Sequence, residues 1–249
     1  MYLPILTYHR LLAADPDHAA DPKRIAVSQA QFRSHLGWLA RLGYHSVSLA
    51  DYPQQIRTRQ RPAPKTFALT FDDGYEEVLT LALPVLKEFG YTATVFAVPG
   101  QMGGSNAWDD AKARLLSADQ YRRLDKAGVT IGGHTSSHVH LPQVEASTAR
   151  REIADSKKRL EEVLGHPVSI FAYPYGESTP DVEALVREAG FEAAFATDRA
   201  PRDHSENLFR IRRAVVFPGN TAWNILWKAQ GWYPAYQDFK RRRGEGGTR

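Results

Sequence analysis

Thr66-Phe67-Ala68-Leu69-Thr70-Phe71-Asp72-Asp73-Gly74-Tyr75 is a run of apolar and β-prone residues that stops on two carboxylates and a glycine. The first six residues read as a strand. On extended backbone the two aspartates would point to opposite faces, but Gly74 lets the chain turn sharply, and the turn can bring both to one cavity. Taken alone, Asp-Asp-Gly is equally well a simple turn and helix cap.

Working outward, similar runs recur at residues 3–8, 93–98, 129–131, 168–173 and 211–217. Helical spacing separates them. Phe32, Leu36, Leu39 and Leu42 form one such pattern, and Val78, Leu81, Leu83, Val85 and Leu86 another. Residues 145–164 give the longest helix expected, with Ile153, Leu160, Val163 and Leu164 inward and Gly165 then Pro167 ending it. Residues 181–189 read as a further helix, stopped at Gly190. Alternation sustained over the chain implies a mainly parallel sheet with crossover helices, open or closed into a barrel.

Ligand sites of parallel α/β folds lie at the carboxyl ends of the strands. Tyr8-His9, Phe71-Asp72-Asp73-Gly74, Gly133-His134 and Tyr173-Pro174-Tyr175-Gly176 all fall where an expected strand stops. Four polar motifs on one rim exceed what a core needs.

Composition bounds the rest. With 249 residues, 43% hydrophobic and 24% charged, the chain has the makeup of a soluble globular protein. It has no cysteine, which excludes disulfides, thiolate nucleophiles and Cys-ligated zinc. Any transition metal must use His and carboxylate. The net charge of +4 is modest and concentrated in the run Lys240-Arg241-Arg242-Arg243, which argues against nucleic acid as a partner. The start lacks a basic n-region and a long apolar stretch, and no segment approaches the ~20 apolar residues of a spanning helix, so a cytoplasmic location is expected.

His134-Thr135-Ser136-Ser137-His138 sets two histidines four apart, which share a face if the stretch makes one helical turn. Combined with a strand-end Asp-Asp, the better reading is a two-His, one-carboxylate site for a divalent ion. Such a site leaves positions for water and a substrate oxygen, as metal-assisted hydrolysis requires. The second aspartate can then take the proton of the attacking water. An amide substrate also needs a general acid for its departing nitrogen, most often a histidine.

With Thr70-Phe71-Asp72-Asp73-Gly74, His134-Thr135-x-x-His138 and Pro174-Tyr175-Gly176 in this order, the chain resembles the polysaccharide deacetylases of carbohydrate esterase family 4, the NodB homology domain, over roughly residues 4–217. The resemblance implies a distorted (β/α)7 barrel in a single domain, with residues 1–220 catalytic and 221–249 a C-terminal helix and basic tail. It implies Asp72 as catalytic base and Asp73, His134 and His138 as ligands of zinc or a related ion such as cobalt or nickel. The implied activity is removal of acetyl groups from an N-acetylated amino sugar in a polysaccharide or lipid-linked glycan. Two other functions stay open: hydrolysis of a non-sugar C–N bond on the same barrel, and glycan binding without catalysis.

Two departures stand out. The family's third motif commonly reads Arg-x-Pro-Tyr-Gly, and here Ala172 occupies the Arg position. Arg210, at the start of the last strand, is the candidate replacement for the arginine that holds the catalytic aspartate, with a surface ion pair the alternative. The retained Tyr175 offers a backbone N–H as a possible oxyanion donor. The late Leu-x-His that supplies the general acid is also absent, and His9, on the N-terminal Tyr-His found in one branch of the family, is expected to fill the role. His140 and His204 are rivals that close no expected strand.

Trp223, Leu226, Trp227, Trp232, Tyr233, Tyr236 and Phe239 make the C-terminal segment unusually aromatic. It reads either as a helix that packs on the barrel or, with Lys240 to Arg243, as a peripheral membrane contact.

Overall fold

The computed structural model describes residues 1–15, 21, 23–109, 112–197, 200–230 and 233. Its first strand, β1 (Ile5–Tyr8), is followed by two short strands, β2 (Arg10–Leu12) and β3 (Ala26–Ser28), which pair with each other beside the main sheet. A two-residue strand, β4 (His45–Ser46), flanks the start of β5 (Thr66–Phe71), the run that ends on Asp72-Asp73. β1 lies parallel to β5, from Ile5 opposite Ala68 to Tyr8 opposite Phe71. The sheet then continues, all parallel, through β6 (Thr94–Ala97), β7 (Thr130–Gly133), β8 (Ile170–Ala172), β9 (Ala193–Ala196) and β10 (Ile211–Arg212).

Closure comes from one short stretch. β10 pairs with β9, and after the single residue Arg213 the same chain becomes β11 (Ala214–Val215) and pairs with β1. The two edges of the sheet are therefore two halves of one segment, and the sheet curls into a near-closed barrel. Its staves are β1, β5, β6, β7, β8, β9 and the β10–β11 segment, which matches the (β/α)7 barrel expected.

Alternation along the strands sorts side chains into two cores. Ile5, Ala68, Phe96, Ile170, Ala193, Phe195 and Ile211 fill the barrel interior. Leu6, Leu69, Phe71, Val95, Ile131, Phe171 and Ala194 point outward under the helices. Gly132 is required by this packing, because a Cβ there would lie 2.7 Å from the Phe96 ring. The interior is apolar at depth and turns polar at the carboxyl ends of the strands, where Thr7 and Thr70 are hydrogen-bonded to each other at 3.0 Å.

The helical layer comprises α1 (Gln29–Arg41), α2 (Tyr52–Arg57), α3 (Leu83–Glu88), α4 (Ala118–Lys126), α5 (Ala146–Leu164), α6 (Pro180–Glu188) and α7 (Ala222–Lys228). Local chemistry starts and stops them. Ser28, Ser117, Thr179 and Thr221 cap N-termini through their hydroxyls, and α5 ends on Gly165 at φ 78°. A π-helical turn at Val78–Ala82 precedes α3, whose Pro84 cannot donate back to the preceding turn.

Several expectations are adjusted. β9 was not foreseen, nor were α2 and α4. The inward face of α5 is Ala149, Ile153, Ser156 and Leu160, with Val163 and Leu164 only half-buried. In α7 the packed residues are Ile225 and Lys228, with Ala229 just past its end, whereas Trp223 is 66% exposed. Trp232, Tyr236, Phe239 and the run Lys240 to Arg243 lie outside the described residues. Among those described, no helix is long and apolar enough to cross a membrane.

Candidate active site

The Asp-Asp-Gly turn works as its composition suggests. Asp72 N–H still donates to Tyr8 O (3.1 Å), extending the β1–β5 ladder by one residue. Asp73 and Gly74 then adopt left-handed backbone, at φ 70° and 74°. For a non-glycine residue this conformation costs about 1–2 kcal/mol, a strain typical of functional sites. The turn leaves both carboxylates buried at 3% exposure. A Cβ at Gly74 would stand 1.9 Å from Tyr121 Oη on left-handed backbone, so any larger residue there forces the buried Tyr121 to move.

The histidines converge by a different route from the helical turn considered above. β7 ends at Gly133, and the next residues form a loop in which Thr135 and His138 are left-handed, at φ 60° and 64°. His138 N–H donates to Thr135 Oγ1 (2.9 Å). Glu152 of α5 holds this loop: its carbonyl accepts from Ser136 N–H (3.0 Å), and its carboxylate accepts from Ser137 N–H (2.8 Å) and Ser137 Oγ (2.7 Å). The sequence reading gave Glu152 no part in the site.

Asp73 Oδ1 lies 3.1 Å from His138 Nε2 and 3.4 Å from His134 Nε2, and ligand atoms of all three residues fall within 4.8 Å of one another. His134 Nδ1 is 2.7 Å from Ala172 O. A carbonyl only accepts, so Nδ1 carries a proton, and in the neutral imidazole that ligates metals Nε2 turns a lone pair toward Asp73. A buried carboxylate oxygen without a hydrogen-bond partner then faces that lone pair. A cation between them resolves the arrangement, and the donor set suits a divalent transition metal. Although burial opposes the charge, the Asp73 carboxyl lies well below the usual carboxylate range when His138 and His134 turn N–H groups toward it, the same positive partner that a cation would supply. Burial outweighs Asp73 at His138 and lowers its pKa, favouring the neutral imidazole that ligates metals. The His138 ring is fixed by Trp108, stacked at 4.4 Å, and by the edge of Tyr175 at 4.7 Å.

Asp72 has a different partner from the one expected. Arg213 grips it bidentately, NH1 to Oδ1 at 2.7 Å and NH2 to Oδ2 at 2.8 Å. The arginine that holds Asp72 is thus Arg213, and the assignment to Arg210 is corrected. Ile211 and Arg213 face the barrel interior and Val215 and Phe217 border the cavity above it, whereas Arg210 lies in the turn before β10 and is not among the cavity's lining residues. Arg213 is 4% exposed, donates from NH1 to Thr70 Oγ1 (3.2 Å) and lies over the Phe96 ring at 5.1 Å. It compensates for the missing motif arginine, whose position, Ala172, is buried in the apolar interior. Burial would raise the Asp72 pKa, but Arg213, aided by His134 and His9, keeps it below the ordinary carboxylate value.

His9, immediately after β1, places Nε2 3.9 Å from Asp72 Oδ2. Tyr175, in the turn after β8, is left-handed (φ 60°), with its ring 40% exposed and stacked flat on His140 at 3.5 Å. His9, Asp72, Asp73, His134, His138 and Tyr175 line one cavity of about 240 Å³. The rival histidines lie apart from it: His140 sits outside, near Glu177, and His204 is buried elsewhere against Tyr52.

The family model for polysaccharide deacetylases matches residues 59–194, more than half of the chain. YxkH of Bacillus subtilis, named for the same family, is 25% identical over 217 residues, covering 87% of this chain and 72% of that protein. The poly-β-1,6-N-acetyl-D-glucosamine N-deacetylase of Staphylococcus aureus is 22% identical over 231 residues, 85% of this chain and 77% of that one. Among solved structures, the Streptococcus pyogenes deacetylase PplD superposes with a TM-score of 0.81 at 23% identity, covering 92% of this chain and 99% of that one. With its barrel and its three motifs in place, the chain belongs to the polysaccharide deacetylase family.

Proposed function

We propose that the protein hydrolyses the N-acetyl group of an amino sugar in a glycan, releasing acetate and a free amine, with the help of a divalent metal, most readily zinc. The observation that carries the reading is the pairing of two differently employed carboxylates in one cavity. Asp73 converges with His134 and His138, while Asp72 beside it is held by Arg213 and faces His9. The likeness to an enzyme named for poly-N-acetylglucosamine supports an amino-sugar substrate.

Asp73, His134 and His138 would hold the metal. When bound, it supplies a Lewis acid that polarises the acyl oxygen and makes water more acidic. Asp72, kept ionised by Arg213, takes the proton of the water that attacks the acyl carbon. Arg213 fixes the direction of the carboxylate, so the base meets the water in one geometry. The Tyr175 N–H is the donor available to the negative charge that develops on the acyl oxygen. His9 gives a proton to the nitrogen as the C–N bond breaks.

The test is acetate release from N-acetylglucosamine oligomers. Chelation should abolish it and zinc or cobalt should restore it, while Asp72→Asn should remove turnover. Activity indifferent to chelators would refute the metal-assisted mechanism.

A further inference from the structure

The cavity mouth is completed by the segment after β11, and Phe217 there is 44% exposed. The loop that carries it is fixed from beneath. Phe217 N–H donates to Asn220 Oδ1 (3.1 Å), and Asn220 N–H donates to Phe217 O (2.9 Å). The Asn220 carbonyl accepts from Gln31 Nε2 (2.9 Å) and from His35 Nε2 (2.8 Å), whose Nδ1 accepts from Tyr8 Oη (3.0 Å). Lys228, 7% exposed, donates to Asn220 Oδ1 (2.6 Å) and to the Val215 carbonyl, and its ammonium lies 5.7 Å from the Phe217 ring centroid.

Burying an ammonium is costly, and it is tolerated here because it ties the two ends of the mouth loop together. A plain connection needs no such anchor. A ring that must be presented to a ligand does, because a rigid aromatic loses little entropy when something stacks on it. Tyr175 is held in the same way, by its flat stack on His140. Two half-exposed rings, one carried on a hydrogen-bonded loop and one stacked on His140, thus line a cavity whose reactive carboxylates are buried. The C–H faces of a pyranose ring suit such surfaces. The two rings differ in what they touch: Tyr175 meets His138, whereas Phe217 lies beside the Lys228 ammonium. The cavity of about 240 Å³ that holds Asp72 and Asp73 has room for little more than one sugar ring, so the rest of a glycan chain lies at its mouth, which Phe217 borders.

We infer that Phe217, propped by Lys228, stacks on the sugar adjacent to the one being deacetylated and makes the site favour an oligomer over a single sugar. This rests on the proposed deacetylase reading. The test compares wild-type, Phe217→Ala, Phe217→Tyr and Lys228→Met proteins, all zinc-loaded, on N-acetylglucosamine and its linear pentamer. Binding of the pentamer is also measured by calorimetry on the metal-free proteins. Phe217→Ala should lower kcat/KM on the pentamer about five- to tenfold, chiefly through KM, and by several-fold more than on the monosaccharide. Pentamer binding should weaken by a similar factor, Phe217→Tyr should restore both, and Lys228→Met should reproduce part of the loss with metal content unchanged. Equal losses on the two substrates, or pentamer binding identical in wild type and Phe217→Ala, would overturn the inference. Phe217-dependent binding by a wild-type protein that releases no acetate would instead uphold the stacking role and refute the deacetylase reading.

Discussion

Replacing Arg213 with Met keeps most of its volume and removes both hydrogen bonds to Asp72. The carboxylate is 3% exposed and Arg213 is its bidentate partner, so the variant leaves a buried charge uncompensated. Breaking such a pair from one side costs about 3–5 kcal/mol. Part of that cost is avoided if Asp72 takes up a proton, which converts the loss of stability into a raised pKa of the base. Urea denaturation at pH 7 should therefore show a drop of a few kcal/mol that shrinks at lower pH. The acid limb of the pH profile of kcat/KM should move upward, and turnover should fall about 10²-fold or more. Arg213→Lys should recover little, because an ammonium cannot engage both oxygens. The double variant with Asp72→Asn should regain much of the stability, since it removes the unpaired charge as well. A loss under about 1 kcal/mol with an unmoved acid limb would refute the argument that Arg213 governs Asp72.

Glu152→Ala should free the Ser136–Ser137 loop and weaken zinc binding about 10- to 100-fold, as loss of a ligand-orienting group usually does, read by competition with a chromogenic chelator. His9→Ala should lower turnover about 10²-fold with zinc content unchanged, and full activity would remove His9 as the acid. Stability should fall with acid through His35 and His204, whose burial holds them at about 4 and about 3, below the ordinary histidine value of 6.5. Between those values the unfolded chain binds protons that the native state does not, so stability declines as pH drops from 6.5. Each site adds a slope of up to about 1.4 kcal/mol per pH unit, and His204→Gln should make the denaturation midpoint less sensitive to acid in that window.

The parts of this protein that were legible in the sequence are those encoded locally. An apolar strand that stops on Asp72-Asp73-Gly74 specifies its own turn, and His134 with His138 needs only a short loop to converge. Arg213 was harder because its role depends on barrel closure, which joins β9 to β1 through one segment. Parity held the clue: Arg213 shares the inward face of Ile211 and Val215 on the closing segment, whereas Arg210 precedes the strand. β9 was missed because Ala193-Ala194-Phe195-Ala196 is a helix-prone sequence that becomes a strand only through burial between β8 and β10. The left-handed backbone at Thr135 and His138 leaves no compositional trace, since neither is glycine. Glu152, in the charged sequence of α5, looked like any solvent-facing residue.

The central claim is that Asp73, His134 and His138 bind the metal while Asp72 serves only as base. Zinc titration of the metal-free protein, with acetate release followed in the same samples, tests it most directly. Wild type should take up one equivalent and gain activity in proportion, and Asp73→Asn should lose both binding and activity. Asp72→Asn should bind one equivalent and release almost no acetate. Turnover by the metal-free protein, or an Asp72→Asn variant as active as wild type, would contradict the account.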